Sequence, residues 1–301
     1  LGGPLDKDAA YLYGQFVQAA YAMFENKQNP DPLCPGPIDI PDGYELSAWI
    51  QMSDFVLGDK ELKFYGIVAH SLAHPDSRII AIRGTEGAVE WWDDVVAVPI
   101  PFRQVPAAGK VATGFDKIYS TMQVVKCRKI NTHGSAPVSF TDIFTGSFAE
   151  QLEQLAISRE AERGIAPPAQ SGLPRQHRPT IVTGHSLGSA LAALFVMENN
   201  AKRKFDISTL CTFASPRVGN TEFVHLFNQL PINSWRLLNT RDIVPKLPPH
   251  IPIVLDYQQV NDEYSFDAAA FAKKSLTCSH SMDTYLHWLN ASHALQPSCD
   301  K

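Results

Sequence analysis

Residues 180–197, TIVTGHSLGSALAALFVM, constrain the fold more than any other stretch of the chain. The β-branched run TIVTG reads as a buried strand, and LGSALAALF reads as an apolar helix. Between them lies Gly184-His185-Ser186-Leu187-Gly188. A chain passing from strand to helix in so few residues must turn sharply, and the two glycines keep side chains out of the crowded turn. The helix start leaves free N–H groups and a positive dipole end facing Ser186. In this context Ser186 is a candidate nucleophile; an N-capping serine on a core helix is the plain structural alternative.

The rest of the chain alternates in the same way. Residues 9–24 have apolar side chains at helical spacing. YELSAWIQMS and ELKFYGIVAH alternate like half-buried strands, and RIIAIR, 78–83, is a short buried strand running into Gly84. VATGFDKIYSTMQVV, 111–125, and SFAEQLEQLAISREAERG, 147–164, are predicted helices; 165–179 reads as a solvated loop. After the serine helix come strand ISTLCTF, a helix over 222–230, strand WRLLNT at 235–240 and a closing helix near 280–289. Strands alternating with helices predict a mostly parallel central sheet flanked by helices on both faces. No linker with a composition shift divides the 301 residues, so one α/β domain over 1–301 is expected.

Charge and cysteines narrow the function classes. A net charge of -5 argues against a nucleic-acid binder, which would carry a basic excess. No apolar run reaches the ~18 residues of a membrane span. The five cysteines, 34, 127, 211, 278 and 299, form no CxxC pair, so no metal site is expected. The odd count leaves at least one free thiol, and Cys211 in ISTLCTF reads as a packed small hydrophobe. A bridge between Cys34 and Cys299 would tie the C-terminus to the first helix, although spacing alone leaves the pairing open.

A serine nucleophile needs a general base, and the base needs an orienting carboxylate. On a strand–elbow–helix scaffold these follow in the order Ser, Asp or Glu, His. Asp242 stands two residues past strand WRLLNT, at the strand end where such folds gather reactive groups. Among downstream histidines, His225 precedes Asp242 and His250 is only eight residues beyond it. His280, in Cys-Ser-His-Ser, and His287, two helical turns later, remain as candidate bases. The Leu187 N–H, next after the nucleophile, is one expected oxyanion donor.

Several motifs in order resemble one family. IVTGHSLGSALAAL, TFASPRVGNTEF (212–223), RLLNTRDIVPKLPP (236–249), IAIRGTEGAVEWWDD (80–94), VATGFDKIY (111–119) and HSMDTYLHWLN (280–290) are similar to segments of the fungal-type (class 3) triacylglycerol lipases and their plant and bacterial relatives. The resemblance covers about 62–126 and 179–290. It implies an α/β-hydrolase fold with a short helical lid, His280 as the base, and Thr85 as the second oxyanion donor. It also implies a lid over about 86–106, whose Val89, Trp91, Trp92, Val95 and Val96 would meet lipid, with Pro99, Pro101 and Pro106 stiffening the far hinge. LPPHIPIVL, 247–255, is a second apolar loop beside the acid, either lining the acyl channel or packing as core. Two positions depart from the family: Ser189, where a second glycine is frequent, and Ala112, where a histidine is common. Segment 127–178 is longer than the usual connection and could lie near the lid.

The reading that follows is a triacylglycerol lipase using Ser186, Asp242 and His280, with no metal or organic cofactor. Its partners would be acylglycerol or another lipid ester, met at a lipid–water interface. An extracellular location is expected. A soluble-substrate (feruloyl-type) esterase and a phospholipase A1 or galactolipid hydrolase are the alternatives on the same scaffold; a non-catalytic lipid binder is the alternative from another class.

Overall fold

The structure, a computed structural model, describes residues 3–25, 34–35, 38–53, 62–85, 97–130, 138–164, 179–251, 255–260 and 262–301. Helix α1 (Lys7–Glu25) leads into strands β1 (Tyr44–Ser53), β2 (Leu62–Ser71) and β3 (Arg78–Ile82). Short strands β4 (Pro99–Pro101) and β5 (Lys110–Ala112) precede helix α2 (Thr113–Tyr119), strands β6 (Gln123–Ile130) and β7 (Val138–Ile143), and helix α3 (Phe148–Glu162). Strand β8 (Thr180–His185), helix α4 (Leu187–Lys202) and strand β9 (Ile207–Phe213) follow, then β10 (Gly219–Asn220), α5 (Thr221–Phe227) and β11 (Asn233–Asn239). Strands β12 (Tyr257–Gln258) and β13 (Glu263–Phe266) and helices α6 (Leu276–His280) and α7 (Met282–Leu289) close the chain.

The main sheet has the order β13-β11-β9-β8-β3-β2-β1-β6-β7. Strands β3, β8, β9, β11 and β13 are mutually parallel; β1 and β7 run the same way, and β2 and β6 run against them. Successive side chains of β3 feed opposite cores, as the pleat requires. Ile80 and Ile82 pack with α2, α3 and α4 through Phe115, Phe148 and Phe195. Ile79 and Ala81 pack with α1 and α7 through Phe16, Val17, Tyr285 and Leu286. Helix α4 is apolar on all sides because residues 187–199 are all buried between sheet and neighbouring helices.

Two expectations change. The predicted helix over 111–125 is a strand, the short helix α2, and then the start of β6. Helix α2 stops at Ser120, and the β-branched Val124 and Val125 pair with Ile50 and Trp49 of β1. Of the inserted segment 127–178, the described residues form the end of β6, the edge strand β7 and helix α3, which packs on α4 through Phe148 and Phe195; the lid residues 86–96 that it was expected to lie near are outside the described residues. The cysteines pair as Cys34–Cys127 and Cys278–Cys299, not Cys34–Cys299. The end of the tail is held beside α6: Ala272 bridges to Asp300 and the Lys273 N–H donates to the Cys299 carbonyl at 3.0 Å. Cys211 is free and buried.

The lid residues Val89, Trp91, Trp92, Val95 and Val96 lie outside the described residues, which resume at 97. Of the expected hinge, Pro99 and Pro101 lie in β4 and Pro106 in the turn before β5. Strands β4 and β5 pair within a second sheet of order β12-β10-β5-β4, with the prolines on its edge. Phe102 is fully buried, edge-on to Tyr119 and Phe223.

Candidate active site

Ser186 sits between β8 and α4 with φ 55° and ψ -126°, a backbone region that L-residues adopt only when the surroundings force it. The forcing contacts are specific. The Ser186 N–H donates to the Phe213 carbonyl at 2.9 Å, anchoring the elbow to β9. A Cβ on Gly188 would come within 2.2 Å of the Ile82 carbonyl oxygen, and one on Gly184 within 2.5 Å of the Gly188 oxygen. Both atoms belong to backbone that cannot yield, which is why this turn takes glycine at both places. The hydroxyl of Ser189 lies 2.7 Å from the Gly184 carbonyl and 3.0 Å from the Phe213 carbonyl, a brace that a glycine there would lack.

Asp242 follows the end of β11 in a tight turn and is fully buried. Its Oδ1 accepts the Val244 N–H at 3.0 Å. Its Oδ2 faces His280 Nδ1 at 2.8 Å and accepts the Tyr285 hydroxyl at 2.9 Å. A carboxylate only accepts, so His280 Nδ1 carries the ring proton and the lone pair is left on Nε2. That Nε2 is buried and has no hydrogen-bond partner among the described residues. Burial first, and then the Asp242 charge, push the Tyr285 hydroxyl well above its ordinary range, so it stays a donor. Asn239 binds the parts together: its N–H donates to the Tyr285 oxygen at 3.1 Å and its side-chain amide to the Ser279 carbonyl at 2.9 Å.

The other candidate histidines are occupied elsewhere. His287 Nδ1 donates to the His293 carbonyl at 2.7 Å and its ring packs on Phe271. His250 pairs with Asp256 at 3.8 Å and His225 with Gln229. Helices α6 and α7 are separated at Ser281, whose ψ of 134° breaks the helix, so His280 and His287 do not share one helical face.

Thr85 is buried at the end of the β3 turn, and its hydroxyl has no hydrogen-bond partner among the described residues. Arg83 Nη1 donates to the Gly84 carbonyl at 2.7 Å. In a trans peptide the C=O and the next N–H point in opposite directions, so holding that carbonyl also aims the Thr85 N–H. A Cβ on Gly84 would lie 2.8 Å from Ser186 Cβ, so the turn touches the serine. Leu187 is the first residue of α4, where N–H groups have no intrahelical acceptor. Segment 212–223 is tied to the loop that follows Asp242: the Arg217 N–H donates to the Leu247 carbonyl at 2.7 Å and its Nη1 to the Pro248 carbonyl at 2.8 Å. Of loop 247–255, residues 252–254 lie outside the described ones, and Ile251 is exposed.

The lipase (class 3) family profile matches residues 79–251, more than half of the chain. The chain belongs to the class 3 lipase family. Among curated relatives, it is 32% identical over 294 residues to phospholipase A1-Igamma2, chloroplastic, of Arabidopsis thaliana, covering 85% of this chain and 50% of that protein. To secreted mono- and diacylglycerol lipase 1 of Fusarium solani it is 34% identical over 137 residues, 44% of this chain and 36% of that one. The chain thus spans half or less of the length of those two relatives. Its fold is that of the native Rhizomucor miehei lipase propeptide complex, with a TM-score of 0.56, 19% identity, and coverage of 94% of this chain and 78% of that one. The fold is therefore the α/β-hydrolase fold.

Sequence reasoning singled out Ser186, Asp242, His280, Thr85 and Leu187 as candidates and passed over Tyr285, Asn239 and Arg83, which brace their surroundings here. The one local signal was Tyr285, five residues past His280 in HSMDTYLHW, with a polar end that a buried tyrosine must satisfy. Among the described residues no group of His, Cys, Asp and Glu is arranged to hold a metal ion, and no helix is long and apolar enough to cross a membrane.

Proposed function

We propose that the chain is a carboxylic-ester hydrolase acting on acylglycerols through Ser186, His280 and Asp242. The observation that carries this is the buried His280, held by Asp242 through Nδ1, with its Nε2 unpartnered. In this reading His280 Nε2 takes the Ser186 proton and Ser186 attacks the ester carbonyl. Charge develops on the substrate oxygen, where the Leu187 and Thr85 N–H groups and the Thr85 hydroxyl stabilise it; one such donor contributes ~2.7–4 kcal/mol. The imidazolium formed is stabilised by Asp242 and returns its proton to the leaving alcohol. Water then attacks the acyl-enzyme with His280 again as base, and the fatty acid leaves. Segment 86–96 is the lid in this reading, with its Trp and Val residues meeting lipid.

A phospholipase A1 activity is the second reading, favoured by the name of the Arabidopsis relative. An extracellular setting belongs to the proposal as well, supported by the disulfides Cys34–Cys127 and Cys278–Cys299, bonds that persist in oxidising compartments. The test is the rate of tributyrin hydrolysis across its solubility limit, beside phosphatidylcholine vesicles at equal ester concentration. A jump in rate when tributyrin droplets form, with slower phosphatidylcholine turnover, supports an acylglycerol lipase. Smooth saturation below the limit overturns the lid reading, and preferred turnover of phosphatidylcholine selects the phospholipase.

A further inference from the structure

Tyr21 projects from α1, far from Ser186 in sequence, yet its hydroxyl touches both halves of the site. The Gly84 N–H donates to it at 2.9 Å, and it lies 2.7 Å from His185 Nδ1. The other nitrogen of His185, Nε2, lies 2.8 Å from the His280 carbonyl. A carbonyl only accepts, so Nε2 carries the ring proton, Nδ1 offers the lone pair, and the Tyr21 O–H donates to it. A single run of bonds therefore leads from the oxyanion turn, through Tyr21 and His185, to the backbone of the base.

We propose that Tyr21 and His185 are positioning residues that lock the Gly84–Thr85 turn and His280 into one rigid unit around the serine elbow. The inference rests on the reading of Ser186, His280 and Asp242 as the catalytic triad. His280 is the last residue of α6, so its carbonyl is among the acceptors that a helix end leaves unsatisfied. His185 caps it. The base is then held twice: its ring by Asp242, its main chain by His185, whose own ring lies against it with centroids 4.6 Å apart. At the other end, Tyr21 fixes the Gly84 N–H while Arg83 fixes the Gly84 carbonyl, so both peptide planes around Gly84 are set and the Thr85 N–H with them. Burial first, and then the neighbouring His280, keep the His185 ring well below its ordinary range, although its bond to the His280 carbonyl pulls the other way. The ring stays neutral through working pH, and the tautomer that the run of bonds needs is kept.

The physical consequence is a coupling between the donors that meet the developing oxyanion and the group that moves the proton. Both must be in place in the same instant of the transition state, whereas ground-state binding of an ester makes no such demand. Loss of the coupling should therefore appear in kcat and not in KM.

The test uses the purified full chain with p-nitrophenyl butyrate below its solubility limit, so that no interface enters. Tyr21→Phe keeps the ring, which lies edge-on to His185 at 5.8 Å, and removes only the hydroxyl. His185→Gln keeps an N–H able to reach the His280 carbonyl; His185→Leu does not. The expected result is a fall of about tenfold in kcat for Tyr21→Phe and for His185→Leu, with KM within about twofold of wild type. His185→Gln should recover most of the loss, and the Tyr21→Phe, His185→Leu double variant should be little worse than His185→Leu alone, because both cut one shared run. Wild-type kcat in Tyr21→Phe overturns the inference, as does a His185→Gln no better than His185→Leu, or a fully additive double variant. If His185→Leu fails to fold, the kcat and KM of Tyr21→Phe decide alone. Ser186→Ala is measured alongside. Activity in Ser186→Ala defeats the triad reading itself, whereas an inactive Ser186→Ala beside an unimpaired Tyr21→Phe defeats only the coupling.

Discussion

His280 Nδ1 and Asp242 Oδ2 stand 2.8 Å apart, both residues buried, although 38 positions separate them in the chain. The carboxylate also holds the Tyr285 hydroxyl and the Val244 N–H, so it has no freedom to turn away from the imidazole. Asp242→Asn keeps the shape but offers an amide that can donate to Nδ1 and favour the wrong tautomer. The expected outcome is a loss of about 10³–10⁴ in kcat with the melting temperature little changed. Steady-state kinetics on p-nitrophenyl butyrate measure it; a loss below about tenfold would move the orienting role elsewhere.

Ser189 stands where the related family often has glycine, and its hydroxyl braces the Gly184 and Phe213 carbonyls. Ser189→Gly loses that brace and adds backbone freedom to a helix. It should destabilise the fold by about 2 kcal/mol while kcat changes little. Urea unfolding of the two proteins checks this, and an unchanged midpoint would show that the brace carries no energy.

Acid stability should depend on His70. Burial, and then Arg159, Arg78 and Arg163 nearby, bring its pKa down to about 2, and its Nδ1 is paired with the Ser47 hydroxyl. An unfolded chain takes that proton near pH 6.5, so between those values the unfolded state binds more protons than the folded one. The contribution is complete above pH 6.5 and falls as pH drops toward 2, by about 1.4 kcal/mol per pH unit. His70→Gln should flatten the dependence of unfolding free energy on pH between 6.5 and 4.5 by that slope. An unaltered slope would show that His70 takes up its proton in the folded state.

The Cys278–Cys299 bridge closes a separation of 21 residues and anchors α6, which presents His280. The Cys278→Ser, Cys299→Ser double variant should lose about 3 kcal/mol of stability. Its activity should fall at a temperature below that of global unfolding, because α6 is released first. Coincident loss of activity and structure on heating would show that α6 is held without the bridge.

How much of this was legible depended on range. The elbow is local: strand, two glycines and apolar helix lie within one stretch, so Ser186 could be read directly. Asp242 could be read because strand ends collect chemistry in such folds. His280 and His287 could not be separated by spacing, since the break at Ser281 that parts their helices has no strong sequence mark. The run 120–125 continued a helical pattern and was drawn into the sheet by β1, a tertiary effect on β-branched residues. The cysteine pairing depended on where the tail lies, which the backbone contacts of Ala272 and Lys273 decide. Tyr21 and His185 were beyond reach for the same reason: their roles exist only once α1 lies across the ends of β3 and β8.

If Ser186 is the nucleophile and His280 its base, a suicide phosphonate should report both. The most direct measurement is stoichiometric labelling with an alkyl p-nitrophenyl phosphonate, followed by intact mass and peptide mapping. One adduct per chain is expected, located on Ser186, absent in Ser186→Ala, and formed at least about 100-fold more slowly in His280→Ala while His287→Ala reacts at the wild-type rate. An adduct on another residue, or rapid labelling in His280→Ala, would contradict that assignment.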